Sequence, residues 1–266
     1  MAIATQRALA RRPLRALNAD LLWGVLLPLG VFAVVGVIWQ FLASRSDSLI
    51  LPTFLETLTG FYEITIVDGE IWGALLLSNQ AFLIGYVLAV AIGVPLGLAL
   101  ARTPALDNVA DPYLSMWIAM PTAPLIPIII MAIGIGLWSR VAVVVVFALI
   151  YIVINTRAGV RSVDRSLVEM AKSFGASEQE IWRRILLPGS APALLAGLRL
   201  GMARAIDGMI VAELLLVAVG IGNLLLRYRA QFQGGLMFAT VLVVALEASI
   251  LISMMRAVER RLTRWL

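Results

Sequence analysis

The sequence predicts an all-α integral membrane protein with about six transmembrane helices. The first reason is composition, since 61% of the 266 residues are hydrophobic and only 14% are charged, against about 25% charged in an ordinary soluble domain. A single soluble core of this size could not bury so large an apolar fraction, so the bilayer must solvate much of it. The second reason is that long apolar runs alternate with short basic clusters, which is typical of membrane topology.

Six apolar runs are predicted to be the spans. They are residues 21–43, 80–101, 113–133, 141–154, 192–217 and 237–255. The fourth is short by hydropathy alone, and we expect it to continue through Asn155 towards the following basic loop. The first is too long for the core of a signal peptide and has no small-residue cleavage site, so it is expected to remain as a helix.

Basic residues predict the orientation of these spans. If the N-terminus is inside, the inner segments carry 15 Lys and Arg residues and the outer segments carry only 4, one of which is Arg140. Residues 1–20 then form a cytoplasmic N-terminal segment, and residues 21–266 form the transmembrane domain, with an inner loop at about 156–190. Both termini are expected to be cytoplasmic.

The residue types that are missing exclude several functions. The chain has no Cys and no His, so thiolate catalysis, Ser-His-Asp triads and the usual zinc and haem sites are ruled out. Its net charge of +5 is spread between apolar spans and does not form a nucleic-acid-binding face. We therefore expect no catalytic residue, no metal site and no nucleic-acid partner.

Two segments expected outside the membrane are amphipathic. Residues 52–62 begin at Pro52, which suits a helix N-terminus, and residues 222–232 also place apolar side chains at helical spacing. Interfacial helices packed on a larger complex and surface helices without a partner explain both segments equally well.

The inner loop predicts a rigid elbow made of two short helices. Asp164 can cap the first helix, and Gly175 suits the left-handed residue that ends it. The second helix opens with a capping box formed by Ser177 and Glu180, and Pro188 is expected to end it. Such an elbow is suited to docking into a groove of a soluble partner, although an ordinary amphipathic loop is the alternative.

The spacing of this loop resembles a known family. In order, it contains Glu169-Met170-Ala171, three residues, Gly175, nine residues, Ile185, one residue and Leu187-Pro188. This resembles the EAA loop of ATP-binding-cassette (ABC) importer permeases, with Met170 at a position where Ala is usual. The segments MPTAPLIPIII at 120–130 and Gly-Ile-Gly at 220–222 are similar to the subfamily that imports sulfonates, taurine and nitrate.

The resemblance implies a type I ABC importer permease in a bacterial inner membrane. Two copies would pair around a central pathway, each loop would dock on a cytoplasmic ABC ATPase, and an extracytoplasmic solute-binding protein would deliver the solute. The implied coupling residues are Glu169, Met170, Ala171, Lys172, Gly175 and Pro188. The chain has no G-x-x-x-x-G-K-[ST] phosphate loop, and its only lysine is Lys172. ATP and Mg²⁺ are therefore expected on the ATPase, with no cofactor in this subunit.

Four residues at membrane depth are candidates for the solute pathway. Arg204 and Asp207 are spaced i, i+3 and can form an ion pair, which either has only a structural role or lets Arg204 meet an anionic solute. Pro121 and Pro124 remove backbone donors, which a membrane tolerates only beside protein or a water-filled cavity. A broken helix that lines the pathway is favoured there over a kinked packing element. For Glu213 and Glu247, a structural role is favoured over a functional one.

The leading hypothesis is thus a non-catalytic permease subunit for a small, anionic solute. Import of a pyrimidine precursor or another small organic nutrient by the same machinery is the alternative, because the resembled subfamily includes such permeases. A secondary transporter would be built from internal repeats, and the two halves of the sequence show no convincing repeat. A membrane-embedded enzyme is disfavoured by the lack of His, Cys and paired carboxylates.

Overall fold

The computed structural model describes residues 14–46, 51–215 and 219–263, and it describes side chains in the first helix from Leu26 onwards. These residues form α-helices joined by short connections, and the described ranges contain no strand. The prediction of an all-α fold is confirmed. The predicted N-terminal segment, residues 1–20, lies mostly outside the described residues.

Eleven α-helices are present in the described ranges. They are α1 (Leu14–Ser44), α2 (Phe54–Tyr62), α3 (Glu70–Arg102), α4 (Pro104–Ala119), α5 (Leu125–Ile133), α6 (Leu137–Arg161), α7 (Arg165–Ser173), α8 (Glu178–Ile181), α9 (Leu187–Leu215), α10 (Gly220–Ala230) and α11 (Gly234–Leu262). Two π-helical turns add to them: Glu63–Val67 extends α2, and Trp182–Leu186 joins α8 to α9.

Five helices in the described residues are long and apolar enough to cross a membrane. They are Leu26–Ser44 of α1, α3, α6, the continuous helix Glu178–Leu215 and α11. Each coincides with a predicted span, and α3, α6 and α11 extend beyond both ends of the apolar runs that predicted them. The fourth span continues past Asn155 to Arg161, as expected.

The third predicted span, residues 113–133, is not one continuous helix. Helix α4 ends at Ala119, and α5 begins only at Leu125. Met120 is extended, with φ −77° and ψ 128°, which is the conformation that Pro121 imposes on the residue before it. The expectation of a broken helix is therefore confirmed, and neither fragment has the roughly 20 residues that a span requires.

Helix α6 lies at the centre of the bundle, between α3 and α9. Glycines allow the backbones to approach closely, as in other packed membrane helices. A Cβ at Gly97 of α3 would lie 2.7 Å from the Cβ of Thr156, and one at Gly201 of α9 would lie 2.5 Å from Cγ1 of Ile152. The fully buried Ala148 lies on α6 within the same core.

The two amphipathic segments form helices at the end of the bundle opposite to α7. Thr53, and not Pro52, is the N-cap of α2, because the threonine side chain can accept a hydrogen bond from the first turn. In α10, Leu224 and Tyr228 are buried in the chain's own core. The apolar face of α10 is therefore covered within the subunit and is not left for a partner.

Candidate functional site

The first half of the predicted elbow is α7, which begins where the sequence indicated. The side chain of Asp164 accepts a hydrogen bond of 2.9 Å from the backbone N–H of Ser166. That hydrogen bond lowers the pKa of the Asp164 carboxyl below its ordinary value. Asp164 therefore keeps its negative charge at the start of α7, where the charge interacts favourably with the helix dipole.

Gly175 ends α7 with the left-handed conformation that its position predicted. Its φ is 76°, its N–H donates to the carbonyl of Lys172 at 2.9 Å, and the N–H of Ala176 donates to the carbonyl of Ala171 at 3.0 Å. These two bonds form a Schellman motif. A Cβ at Gly175 would meet nothing within 4 Å, so the backbone conformation alone is what favours glycine.

The second half of the elbow begins as predicted but does not end at Pro188. Ser177 and Glu180 form a reciprocal capping box, with distances of 3.3 and 3.0 Å. The helix then continues through the π-helical turn, in which the N–H of Leu187 donates to the carbonyl of Trp182. The wider turn resets the hydrogen-bond register, so Pro188 falls in the first turn of α9, where a missing N–H is tolerated.

One face of α7 exposes an apolar stripe. Leu167, Met170 and Phe174 lie at helical spacing, and their exposed fractions are 44%, 52% and 85%. Apolar side chains clustered on a surface mark contact sites. The sequence analysis named Met170 but missed Leu167 and Phe174. Their i, i+3, i+7 spacing was the signal that could have found them.

The opposite face of α7 lines a groove of about 740 Å³. Across the groove lie the last residues of α3 and α6 and the π-helical turn that leads into α9. We call it the basic groove; its charged lining residues are Arg102, Arg161, Arg165, Glu169 and Lys172. Glu169 and Lys172, both predicted to couple, therefore face the base of the bundle rather than lying on the apolar stripe.

An ionic cluster ties α4 to the end of α6 next to the groove. Asp107 is buried and contacts two arginines: its Oδ1 lies 2.5 Å from Nε of Arg157, and its Oδ2 contacts Arg161. Arg157 also reaches Oδ1 of Asp111 at 2.5 Å. The sequence showed these charges but could not show that they meet, because about 50 residues separate the partners.

Arg204 and Asp207 form the ion pair that their spacing predicted. Nη1 of Arg204 lies 3.3 Å from Oδ2 of Asp207, and the two side chains are 45% and 56% exposed on the surface of the subunit. The guanidinium also lies over the ring of Tyr151, 4.9 Å from its centroid. Charges on a spanning helix are costly to expose to lipid, so we expect this surface of α9 to meet water or protein.

Pro121 and Pro124 lie in the irregular segment between α4 and α5, and both are exposed. Within the described residues, no hydrogen bond or ion pair connects this segment to Arg204 or Asp207. The structure therefore does not bring the four predicted pathway residues into one cluster within a subunit. Their contact with a solute stays a prediction.

Glu213 is fully buried at the other end of α9, in a polar network that the sequence did not reveal. Its carboxylate accepts hydrogen bonds from Ser78 Oγ at 2.8 Å and from the backbone N–H of Gly222 at 3.0 Å. Its other oxygen lies 3.4 Å from Nη1 of Arg140. The sequence analysis counted Arg140 among the outer segments, and the structure shows that it is buried in the first turn of α6, where Glu213 neutralises it.

One hydrogen bond and one ion pair also hold the spanning helices together. Asn79 of α3 donates a hydrogen bond to Glu247 of α11. Arg199 of α9 lies 2.6 Å from Glu259 of α11. Both connect the last helix to the bundle, so the structure gives Glu247 a packing role, in agreement with its interpretation from the sequence.

Comparison with known proteins places this architecture among transport proteins. The family described as "binding-protein-dependent transport system inner membrane component" matches residues 93–264. That range runs from the middle of α3 to beyond the end of α11. It includes the elbow, the ion pair of α9 and Glu213.

Curated relatives match over most of the chain. The taurine transport system permease protein TauC of Escherichia coli is 28% identical over 91% of this chain and 90% of its own. The putative aliphatic sulfonates transport permease protein SsuC of the same organism is 31% identical over 90% of both chains. The formylaminopyrimidine transport permease protein ThiX of Halalkalibacterium halodurans is 26% identical over 88% of this chain and 93% of its own.

A solved structure shares the fold. The methionine ABC transporter MetNI, in an inward-facing conformation, aligns over 73% of this chain and 94% of its own with a TM-score of 0.59. The sequences are 19% identical in that alignment. The helices described above therefore share the fold of that transporter chain.

Proposed function

We propose which tasks this chain and its partner proteins carry out, given that this chain belongs to the family of binding-protein-dependent transport system inner membrane components. It is the transmembrane permease subunit of an ABC importer. ATP and Mg²⁺ are bound by a separate ATPase dimer, and α7 receives the motion that hydrolysis produces. The chain itself holds no cofactor and catalyses no reaction.

The proposed orientation places the elbow in the cytoplasm, together with both termini. The α3, α6 and α11 ends on the elbow side carry Arg102, Arg161 and Arg260, and the elbow adds Arg165 and Lys172. Basic residues concentrate on the cytoplasmic side of membrane proteins.

The observation that carries the docking proposal is the exposed apolar stripe on a rigid elbow. Leu167, Met170 and Phe174 would be costly to leave in contact with cytoplasmic water, and a groove on the ATPase would bury them. Met170 suits such a contact because its flexible thioether adapts to irregular surfaces. Gly175 and the capping box fix the angle of the elbow, so movement of the partner is passed on to α9.

A second copy of the permease is proposed to complete the solute pathway. Arg204 and Asp207 are half-exposed on one subunit, and lipid could not accommodate them there. Two copies related by a twofold axis would enclose these charges in a polar pathway. An extracytoplasmic binding protein would deliver solute to the end of the bundle opposite to the elbow.

We propose that the solute is a small anion of the sulfonate type. The support is the likeness to TauC and SsuC together with Arg204, because a guanidinium binds sulfonate or carboxylate oxygens in a fork. The likeness to ThiX supports the alternative, a pyrimidine precursor. Mass spectrometry of the ligand that co-purifies with the cognate binding protein separates a sulfonate from a pyrimidine.

The docking proposal is tested on the reconstituted complex. We expect Leu167→Ser combined with Phe174→Ser to abolish co-purification of the ATPase, because the stripe loses two of its three exposed apolar side chains. The variant is expected to insert normally. The control is Gln179→Ser, an exposed position on the other half of the elbow. Full retention of the ATPase by the double variant would overturn the docking proposal.

A further inference from the structure

We infer that the basic groove binds the phosphate-bearing headgroup of an anionic phospholipid from the adjacent leaflet. This inference relies on the proposed orientation only to identify that leaflet as the inner one. The groove lies on the face of α7 opposite to the apolar stripe, so it is separate from the proposed ATPase contact.

The charge of the groove is the first argument. Four cations and one carboxylate line it. Within the described residues, Arg165 and Lys172 form no ion pair, while Arg161 contacts Asp107. Arg102 reaches Glu178 only at 3.9 Å, between largely exposed side chains, and such a contact contributes little. The groove therefore has a surplus of positive charge directed towards an empty volume.

The walls of the groove select a lipid over a soluble anion. Val160, Val163 and Leu186 supply apolar surface beside the cations. The ring of Trp182 lines the same groove, 5.8 Å from Cζ of Arg102. Tryptophan and arginine together are typical of the headgroup level of a bilayer. A free phosphate would leave the apolar wall unused, whereas a phospholipid covers it with its glycerol and upper acyl carbons.

The position of the groove agrees with that ligand. Helix α3 ends at Arg102 and α6 ends at Arg161, and the helix that enters the bundle from the elbow passes through Leu186. The groove thus lies at the level where two spanning helices end, which we take as the headgroup level of the bilayer. Basic pockets between helices at this level are suited to anionic headgroups.

The weak attachment of α7 is an independent argument. None of its residues is buried. In the part of the chain that the structure describes, no side-chain hydrogen bond or ion pair joins α7 to a spanning helix. A headgroup held by Arg165 and Lys172 on one side and by Arg102 and Arg161 on the other would connect α7 to the ends of α3 and α6. The proportion of anionic lipid in the membrane would then influence how firmly α7 is held against the spanning helices.

Native mass spectrometry of the full-length permease tests this inference. The chain is purified in detergent and titrated with phosphatidylglycerol or, separately, with phosphatidylcholine. We expect phosphatidylglycerol to be retained in preference to phosphatidylcholine. Arg165→Gln combined with Lys172→Gln is expected to raise the apparent Kd for phosphatidylglycerol by about tenfold. The matched control is Arg256→Gln with Arg260→Gln, which removes two charges from a single face of α11 and is expected to retain the lipid.

Three further measurements keep the inference falsifiable. Glu169→Gln removes the one carboxylate among the described residues that line the groove. It is expected to tighten phosphatidylglycerol binding, a result that does not depend on the double variant being stable. Millimolar inorganic phosphate is not expected to displace the lipid. Equal retention of the two lipids, equal weakening in the α11 control, unchanged binding in Glu169→Gln or displacement by free phosphate would each overturn the inference.

The test is also distinct from that of ATPase docking. The variant with Leu167→Ser and Phe174→Ser leaves the groove intact, so we expect it to bind phosphatidylglycerol like the unaltered chain. If it does so while losing the ATPase, the two faces of α7 have separate ligands. If it also loses the lipid, the assignment of the lipid to the opposite face is wrong.

Discussion

Two acids on α9 show how the environment of a single residue decides its role. Glu213 is fully buried and receives hydrogen bonds from two other elements of the chain, besides its ion pair with Arg140. Asp207 is half-exposed, and its one ion pair among the described residues is with Arg204, one turn away. A buried carboxylate that has hydrogen bonds and an ion pair within the protein indicates a structural role. A half-exposed charge on a spanning helix indicates contact with water, protein or solute.

Arg204→Ala is expected to fold but to transport poorly. Its side chain is half-exposed, so the substitution leaves no charge in a dry interior. We expect uptake to fall at least about tenfold, equivalent to about 1.4 kcal/mol of lost interaction, and Asp207→Asn to be milder. Expression and uptake of both variants and of the double variant are the measurements. Restored transport in the double variant would make Arg204 a structural residue.

Glu213→Gln is expected to destabilise the subunit. The amide would direct its donor N–H groups at Arg140 and leave a buried guanidinium unpaired, a loss that typically costs about 3–5 kcal/mol. Replacing Arg140 by Met as well is expected to recover part of that loss. The thermal unfolding midpoint in detergent, followed by tryptophan fluorescence, reports the change.

The control for this substitution is Glu178→Gln, which breaks the largely exposed contact with Arg102. Exposed pairs contribute about 0–1 kcal/mol, so its midpoint is expected to stay close to that of the unaltered chain. Similar midpoints for the Glu213 and Glu178 variants would contradict a special role for the buried network.

The elbow shows how a short element acquires a fixed shape without a core of its own. None of the residues in α7 is buried, yet both of its ends are capped, by Asp164 at the start and by the Schellman motif at Gly175. The second helix is capped by Ser177 and Glu180. Local hydrogen bonds thus define the angle between the two halves.

Gly175→Val is expected to uncouple transport from ATP hydrolysis. A β-branched residue strongly disfavours φ near 76°, so the turn would open and α7 would lose its fixed position. The spanning helices are not affected, and we expect normal membrane insertion. ATPase stimulation by loaded binding protein in reconstituted vesicles is the measurement.

Gly73→Val provides a matched control, because a Cβ at Gly73 also meets nothing within 4 Å while the backbone there is regular helix. That variant is expected to keep most of the stimulation. Stimulation that survives in Gly175→Val as well would show that the angle of the elbow does not matter for coupling.

At the scale of the whole molecule, the proposed orientation predicts a labelling pattern. Single cysteines at Ala4, Ser177 and Thr263 are expected to resist a membrane-impermeant thiol reagent in intact cells, because these positions are proposed to be cytoplasmic. A cysteine at Ser46 is expected to react from outside. The unaltered chain has no cysteine, so the background is low. Labelling of Ser177→Cys from outside would reverse the topology.

Structural features that depend on neighbouring residues were predictable from the sequence, whereas contacts between residues far apart in the chain were not. Caps and the conformation of Gly175 depend on residues within one turn, and the elbow was predicted almost completely. The start of α6 was placed too late because Arg140 lowers the hydropathy there, and only the fold reveals that Glu213 neutralises it. Pro188 was expected to stop its helix because a π-helical turn cannot be recognised from local composition.

The continuous helix Glu178–Leu215 has a mechanical consequence. It begins at the elbow and passes the Arg204–Asp207 pair without an interrupting loop, so it can act as a lever. From Glu178 to Asp207 the axial rise is about 44 Å, and a tilt of about 5° at one end of such a rod displaces the other by about 4 Å. A small rotation imposed on the elbow would then move the charged pair by more than the 3.3 Å that separates its two charged atoms.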